Sequence, residues 1–228
     1  MNKNVNTKFL YTQKLFVFFI IFCAGLGGVL YGYDIGVISG ALLFVQKTIP
    51  LTQNQVGFIV GAVLTGGLVG TLITGKLADG FGRKKMIIAA CLVFIVGILL
   101  ILIAKDFYSL FIARLLLGIG VGVVAVAVPL YLTEIAPANI RGRSVTIFQL
   151  LLRCGIVLAY FVDFLFVPSG NWHGMFAVIL IPASILFFGM LILPESPRWL
   201  MTKNKSDKAL KVLLRTRPET EAHFEFAQ

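Results

Sequence analysis

Six apolar runs, each long enough to cross a bilayer, fix what this chain can become. They are Leu15–Val45, Val56–Leu77, Met86–Ala104, Leu110–Leu132, Val145–Val167 and Met175–Leu193. A spanning helix needs about 20 largely apolar residues, because lipid offers no partner to a bare backbone N–H or C=O. The runs therefore predict an all-α membrane protein, a six-transmembrane-helix bundle set in a lipid bilayer. Composition agrees: 13% of residues are charged, against about 25% in an ordinary soluble domain. The first run is longer than a bilayer requires, and its Gly25, Gly27, Gly28, Gly32, Gly36 and Gly40 would let it bend. A cleaved leader is a poor reading of the N-terminus. No small-x-small site follows at a suitable distance, and the apolar run continues past Asp34. The chain divides into a tail at 1–14, the six-helix domain at 15–200 and a polar segment at 201–228. That last segment is too short for a domain. It reads as helical over Ser206–Arg215, with Ser206 as the N-cap.

The net charge of +10 raises the question of nucleic acid. The cations answer it by their placement, since they are scattered between apolar runs. Lys3, Lys8 and Lys14 precede the first run. Lys76, Arg83, Lys84 and Lys85 lie between the second and third, and Arg141 and Arg143 between the fourth and fifth. Seven more, from Arg198 to Arg217, follow the sixth, while the other three connections hold only Lys47 and Lys105. That asymmetry is the positive-inside pattern. It puts both termini in the cytoplasm of a multi-pass cell-membrane protein and makes no nucleic-acid partner necessary.

Cys23, Cys91 and Cys154 all fall in apolar runs and read as small buried hydrophobes. The sequence has no nucleotide-binding loop, nucleophile motif or metal-ligand cluster, so neither an enzyme, a cofactor nor a metal is expected. Gly28/Gly32, Gly36/Gly40, Gly66/Gly70 and Gly118/Gly122 are each four apart, a spacing that lets helices approach closely.

Charged groups within spans are costly and mark function. Asp34, Arg114 and Arg153 stand out. Asp34 lies about 18 Å and Arg114 about 11 Å along the helix from the outer end of its run, close enough in depth to pair once the helices tilt. Two readings fit such a pair. Burial favours the neutral acid and a neighbouring guanidinium favours the carboxylate, so moving the Arg would load or release a proton. Alternatively, the pair is static and fixes helix packing. In the fifth run, Gln149, Arg153, Ile156, Tyr160 and Asp163 share one helical face. Four of the five are polar. The stripe is suited to water and a polyhydroxylated ligand, or to hydrogen bonds between helices. Arg153 needs an acceptor or must remain in water, and Asp34 is the nearest acid in depth. Intrusion of Arg153 on that acid, in competition with Arg114, is therefore one expectation, and a tolerated passenger role is the other.

Four loop and helix motifs then bring a family into view. The stretch Gly75–Lys85, GKLADGFGRKK, resembles the signature between the second and third helices of the major facilitator superfamily. Pro129–Gly142, PLYLTEIAPANIRG, and Pro194–Leu200, PESPRWL, are similar to marks of its sugar porter branch, as is Gly32–Gly40, GYDIGVISG. The resemblance covers nearly the whole chain and is strongest to bacterial proton symporters for xylose, arabinose or galactose. It implies the N-terminal half of a major facilitator fold, built as 3+3 inverted repeats, and sugar:proton symport of a monosaccharide by alternating access. It assigns Asp34 as the proton-linked carboxylate, Arg114 as its partner, Gln149 as a donor and acceptor for sugar hydroxyls, and Tyr31 as an aromatic beside the sugar. Ile156 and Arg153 share the face of Gln149. Asp79, Arg83, Glu134, Arg141, Glu195 and Arg198 would form a cytoplasmic gate network of exposed, individually weak ion pairs.

The sequence departs from the family at several points. Gly80 stands where the first loop motif usually has a basic residue, and Arg153 where the branch has a small or apolar one. Trp172-His173-Gly174-Met175 lacks the usual Arg-Trp, which makes His173 an interfacial polar residue. The largest departure is length, since family members have twelve helices with substrate between two halves. The half-length chain would then work with a separate C-terminal half or with a second copy of itself, or be a truncated remnant that transports nothing. A non-transporting sugar sensor is the remaining alternative, disfavoured by the short final segment.

Overall fold

The computed structural model describes the backbone of residues 3–226 and the side chains of residues 13–226. Every regular element among them is helical: α1 (Lys3–Thr48), α2 (Gln53–Phe81), α3 (Arg83–Ile103), α4 (Phe107–Ile135), α5 (Arg141–Phe166), α6 (Trp172–Ala177), α7 (Leu180–Ile192), α8 (Pro197–Thr202), α9 (Ser206–Thr216) and α10 (Glu219–Phe226). Six stretches are long and apolar enough to span a bilayer, the last formed by α6 and α7 together. The chain is thus a multi-pass membrane protein. Large apolar side chains stay uncovered on its outside, as at Leu64 (75%) and Ile192 (77%), which lipid solvates without cost.

The helix ends follow from capping chemistry. Thr52 and Gln55 form a capping box at the start of α2, and Asp106 and Ser109 form one at the start of α4. The sixth span breaks between Ala177 and Leu180. Pro182 has no N–H for the Val178 carbonyl, and the chain crosses the gap with tighter turns such as Ile181 N–H to Val178 O, 3.1 Å.

Glycine sets the two closest helix contacts. A Cβ on Gly32 would overlap the Leu152 carbonyl, and one on Gly28 the Phe148 carbonyl, so α1 and α5 meet backbone to backbone. Gly66 and Gly70 meet the Leu115 and Ile119 carbonyls in the same way, and Gly118 and Gly122 those of Val63 and Gly67, joining α2 to α4. The helix α1 is continuous from Lys3 to Thr48, and Gly28 and Gly32 bring it close to α5. Behind these pairs, fully buried Phe94, Ile98, Leu117, Val124 and Leu186 fill the core with α3, α4 and α7.

Three expectations need correction. Cys154 is exposed on α5, because that helix turns only one face to α1. Ser206 is the first helical residue of α9 and not its cap. The final segment also holds more structure than one helix. Gln13 Nε2 donates to the carbonyls of Leu214 (2.7 Å) and Arg217 (2.9 Å), and Arg217 Nη2 donates to Ile135 O at 3.0 Å. Arg217 also pairs with Glu225 of α10. These bonds pin α9 and α10 across the end of the bundle.

Candidate functional site

Asp34 sits in α1 and Arg114 in α4, 1% and 2% exposed. Arg114 Nη1 lies 2.8 Å from Asp34 Oδ1, a short charge-assisted contact between two charges held in the core. The Phe176 ring lies 5.5 Å from Arg114 Cζ and offers its face to the cation. Satisfaction is incomplete: Asp34 Oδ2 and Arg114 Nε have no hydrogen-bond partner among the described residues. One carboxylate oxygen is therefore spoken for by Arg114 and the other is left over. Opposite, Tyr33 donates to Met175 O at 2.6 Å and ties α1 to α6.

The polar stripe of α5 divides. The side that packs on α1 carries Phe148, Leu152, Gly155 and Ala159. Gln149, Arg153 and Tyr160 lie about a quarter-turn from the middle of that side and are exposed. Ile156 is half-buried against α1, and Tyr31 is half-buried on α1 itself. Asp163 is buried against Gly40, and neither carboxylate oxygen has a hydrogen-bond partner among the described residues. Arg153 is not brought to Asp34, whose ion pair is with Arg114. Leu152 packs against α1, and its neighbour Arg153 is exposed, with no ion pair among the described residues.

A second cluster forms at the end of the bundle that carries the final segment. Arg83 Nε lies 3.0 Å from Glu134, and Arg83 Nη2 lies 3.0 Å from Asp79. Ser196 Oγ donates to Oε2 of the same Glu134 carboxylate, and Trp199 Nε1 donates to Asp79 O at 3.0 Å. Glu195 Oε1 accepts from the Lys84 N–H (3.0 Å) and the Ser196 N–H (2.9 Å), which places its carboxylate at the N-terminus of α3. Gly82 makes room for it: its φ is +100°, and a Cβ there would overlap the Glu195 carboxylate. Arg141 and Arg198 border the same region, lining with Glu134 a cavity of about 830 Å³. Neither forms an ion pair among the described residues, and Arg141 Nε is unpartnered. The expectation of exposed, weak pairs is also corrected, since the Arg83 and Glu134 side chains are 11% and 6% exposed.

Lys84, Gly82, Ser196 and Trp199 belong to this cluster and escape a reading based on charge pairs. One signal was available. Ser196 directly before Pro197 is the pattern of an N-cap followed by a first-turn proline, and it does cap α8.

Residues 20–228 match the family described as "Sugar (and other) transporter". The chain is 43% identical over 204 residues to a D-xylose transporter of Levilactobacillus brevis, covering 88% of this chain and 44% of that protein. It is 40% identical over 206 residues to a galactose-proton symporter of Escherichia coli K12, covering 90% and 44%. Its fold superposes on the proton:xylose symporter XylE bound to 6-bromo-6-deoxy-D-glucose with a TM-score of 0.89, at 29% identity, over 94% of this chain and 52% of that one. A partially occluded inward-open form of XylE from E. coli gives a TM-score of 0.86 at 28% identity, over 92% and 57%. The chain thus spans about half the length of the relatives it matches. With residues 20–228 inside the family match and the fold superposed on a major facilitator, the chain belongs to the sugar transporters of the major facilitator superfamily.

Proposed function

We propose that this chain forms the N-terminal half of a monosaccharide:proton symporter that works by alternating access, with the tails in the cytoplasm. The observation that carries the reading is the buried Asp34–Arg114 pair, 2.8 Å apart, with one carboxylate oxygen left over. A carboxylate shielded from water and held by a single guanidinium changes its proton affinity whenever helix movement changes that contact. Asp34 then carries the coupled proton, and Arg114 releases or reclaims it. One proton moving down 100 mV supplies about 2.3 kcal/mol, enough for about fifty-fold accumulation of an uncharged sugar.

Gln149 and Tyr31 meet the sugar, Gln149 through its amide and Tyr31 through its ring, with Ile156 and Arg153 beside them. The exposed positions Gln149 and Arg153 face the second six-helix half that completes the cavity, whether a C-terminal half or a second copy. Asp79, Arg83, Glu134, Arg141, Glu195 and Arg198 hold the cytoplasmic gate. The likeness to a D-xylose transporter and a galactose-proton symporter supports a pentose or hexose as substrate.

The test is uptake into proteoliposomes that contain this chain together with the six-helix C-terminal half of a related transporter. Labelled xylose, galactose and arabinose are offered with and without an imposed proton gradient. Accumulation of at least one sugar above its external concentration, abolished by a protonophore, is expected. Gradient-independent equilibration, or no uptake of any of the three, contradicts the reading.

A further inference from the structure

A groove of about 420 Å³ runs between the start of α1, the start of α5 and the α9–α10 segment. It has no place in the transport reading. Its wall is mostly apolar and includes Phe18, Ile21 and Ile147. Phe18 is 62% exposed, and Leu15 and Phe22, three and four residues away on the same face, are 59% and 47% exposed. The groove therefore opens onto the lipid-facing surface of α1. Its rim carries two exposed cations, Lys14 and Arg143, neither of which has an ion-pair partner among the described residues. Glu221 is the one acid among the lining residues.

Its base is polar and closed to solvent. Gln13 is 6% exposed and Arg217 1% exposed, and both line the groove. Gln13 Oε1 and Arg217 Nε are buried and have no hydrogen-bond partner among the described residues. An apolar slot open to the bilayer and a rim of two cations together specify an amphiphile with an anionic head.

We infer that this groove binds one anionic phospholipid, from the leaflet on the α9–α10 side of the membrane. The phosphate sits between Lys14 and Arg143. An acyl chain lies along Phe18, Ile21 and Ile147. The lipid ties α1 and α5 to the final segment, which Gln13 and Arg217 already join. Only the naming of that leaflet as cytoplasmic rests on the proposed topology.

Native mass spectrometry of the purified chain in detergent tests this directly and depends on neither transport nor orientation. Palmitoyl-oleoyl phosphatidylglycerol and the corresponding phosphatidylcholine are the probes. Retention of phosphatidylglycerol should exceed that of phosphatidylcholine by about tenfold or more, as two surface cations provide. The double substitution Lys14→Gln/Arg143→Gln, at exposed positions, should remove that preference, while Lys105→Gln at the opposite end should keep it. Glycerol 3-phosphate at equal concentration should not displace the lipid. Equal retention of the two lipids, a preference that survives the double substitution, or displacement by glycerol 3-phosphate would each overturn the inference.

Discussion

Glu195 caps the start of α3, and Lys84 of α3 caps the end of α7. The Lys84 N–H, in the first turn of α3, donates to Glu195 Oε1 at 3.0 Å, while Lys84 Nζ donates to the carbonyls of Leu191 (2.9 Å) and Leu193 (2.7 Å) at the end of α7. An anion thus meets the positive end of one helix and a cation the negative end of the other. The exchange joins the turn at Gly82 to the segment after α7 on one end face and seats the Arg83–Glu134 cluster.

That seat depends on Gly82. Its φ of +100° and the Glu195 carboxylate packed against it exclude a side chain. Gly82→Ala should destabilise the chain by about 1–3 kcal/mol. Gly80→Ala, two residues earlier with nothing within 4 Å of an added Cβ, should be neutral or stabilising by up to about 1 kcal/mol. Thermal unfolding in detergent distinguishes them, and equal midpoints for the two variants would refute the role given to Gly82.

The same cluster holds one strong pair and one weak one. Arg83→Gln leaves Glu134, 6% exposed, without its cation and should cost about 3–5 kcal/mol. Asp79→Asn touches a side chain that is 74% exposed and should cost less than about 1 kcal/mol. The comparison is read from unfolding midpoints of the two purified variants. A larger loss from Asp79→Asn would reverse the assignment of which pair holds the end face.

Orientation follows from charge. Green fluorescent protein fused after Phe226 should fluoresce in bacterial cells, and alkaline phosphatase inserted at Asn54 should be active, because cations crowd the end that holds the tail. A periplasmic signal at Phe226 contradicts the orientation proposed here.

The sequence made the spans legible because apolar length alone decides them, and the glycine pairs legible because spacing fixes which face they share. Gly66, Gly70, Gly118 and Gly122 do lie in one contact. The depth argument placed Asp34 and Arg114 within reach, and the two do meet. What periodicity does not contain is the rotation of one helix against another. Gln149, Arg153 and Asp163 share a face on paper, yet α1 covers only Asp163. Nor does pattern reveal contacts that depend on backbone atoms, such as Lys84 on the Leu193 carbonyl or Arg217 on that of Ile135. The break at Pro182 was readable from proline chemistry, while α10, with no apolar period, was not.

The most direct measurement compares uphill uptake with exchange in the Asp34→Asn variant, reconstituted with a complementary C-terminal half. Asparagine keeps the shape and a hydrogen bond to Arg114 but carries no titratable proton. The account predicts that sugar accumulation against a gradient is lost, while counterflow of labelled for unlabelled sugar persists at a measurable rate. Undiminished, protonophore-sensitive accumulation by Asp34→Asn would contradict it.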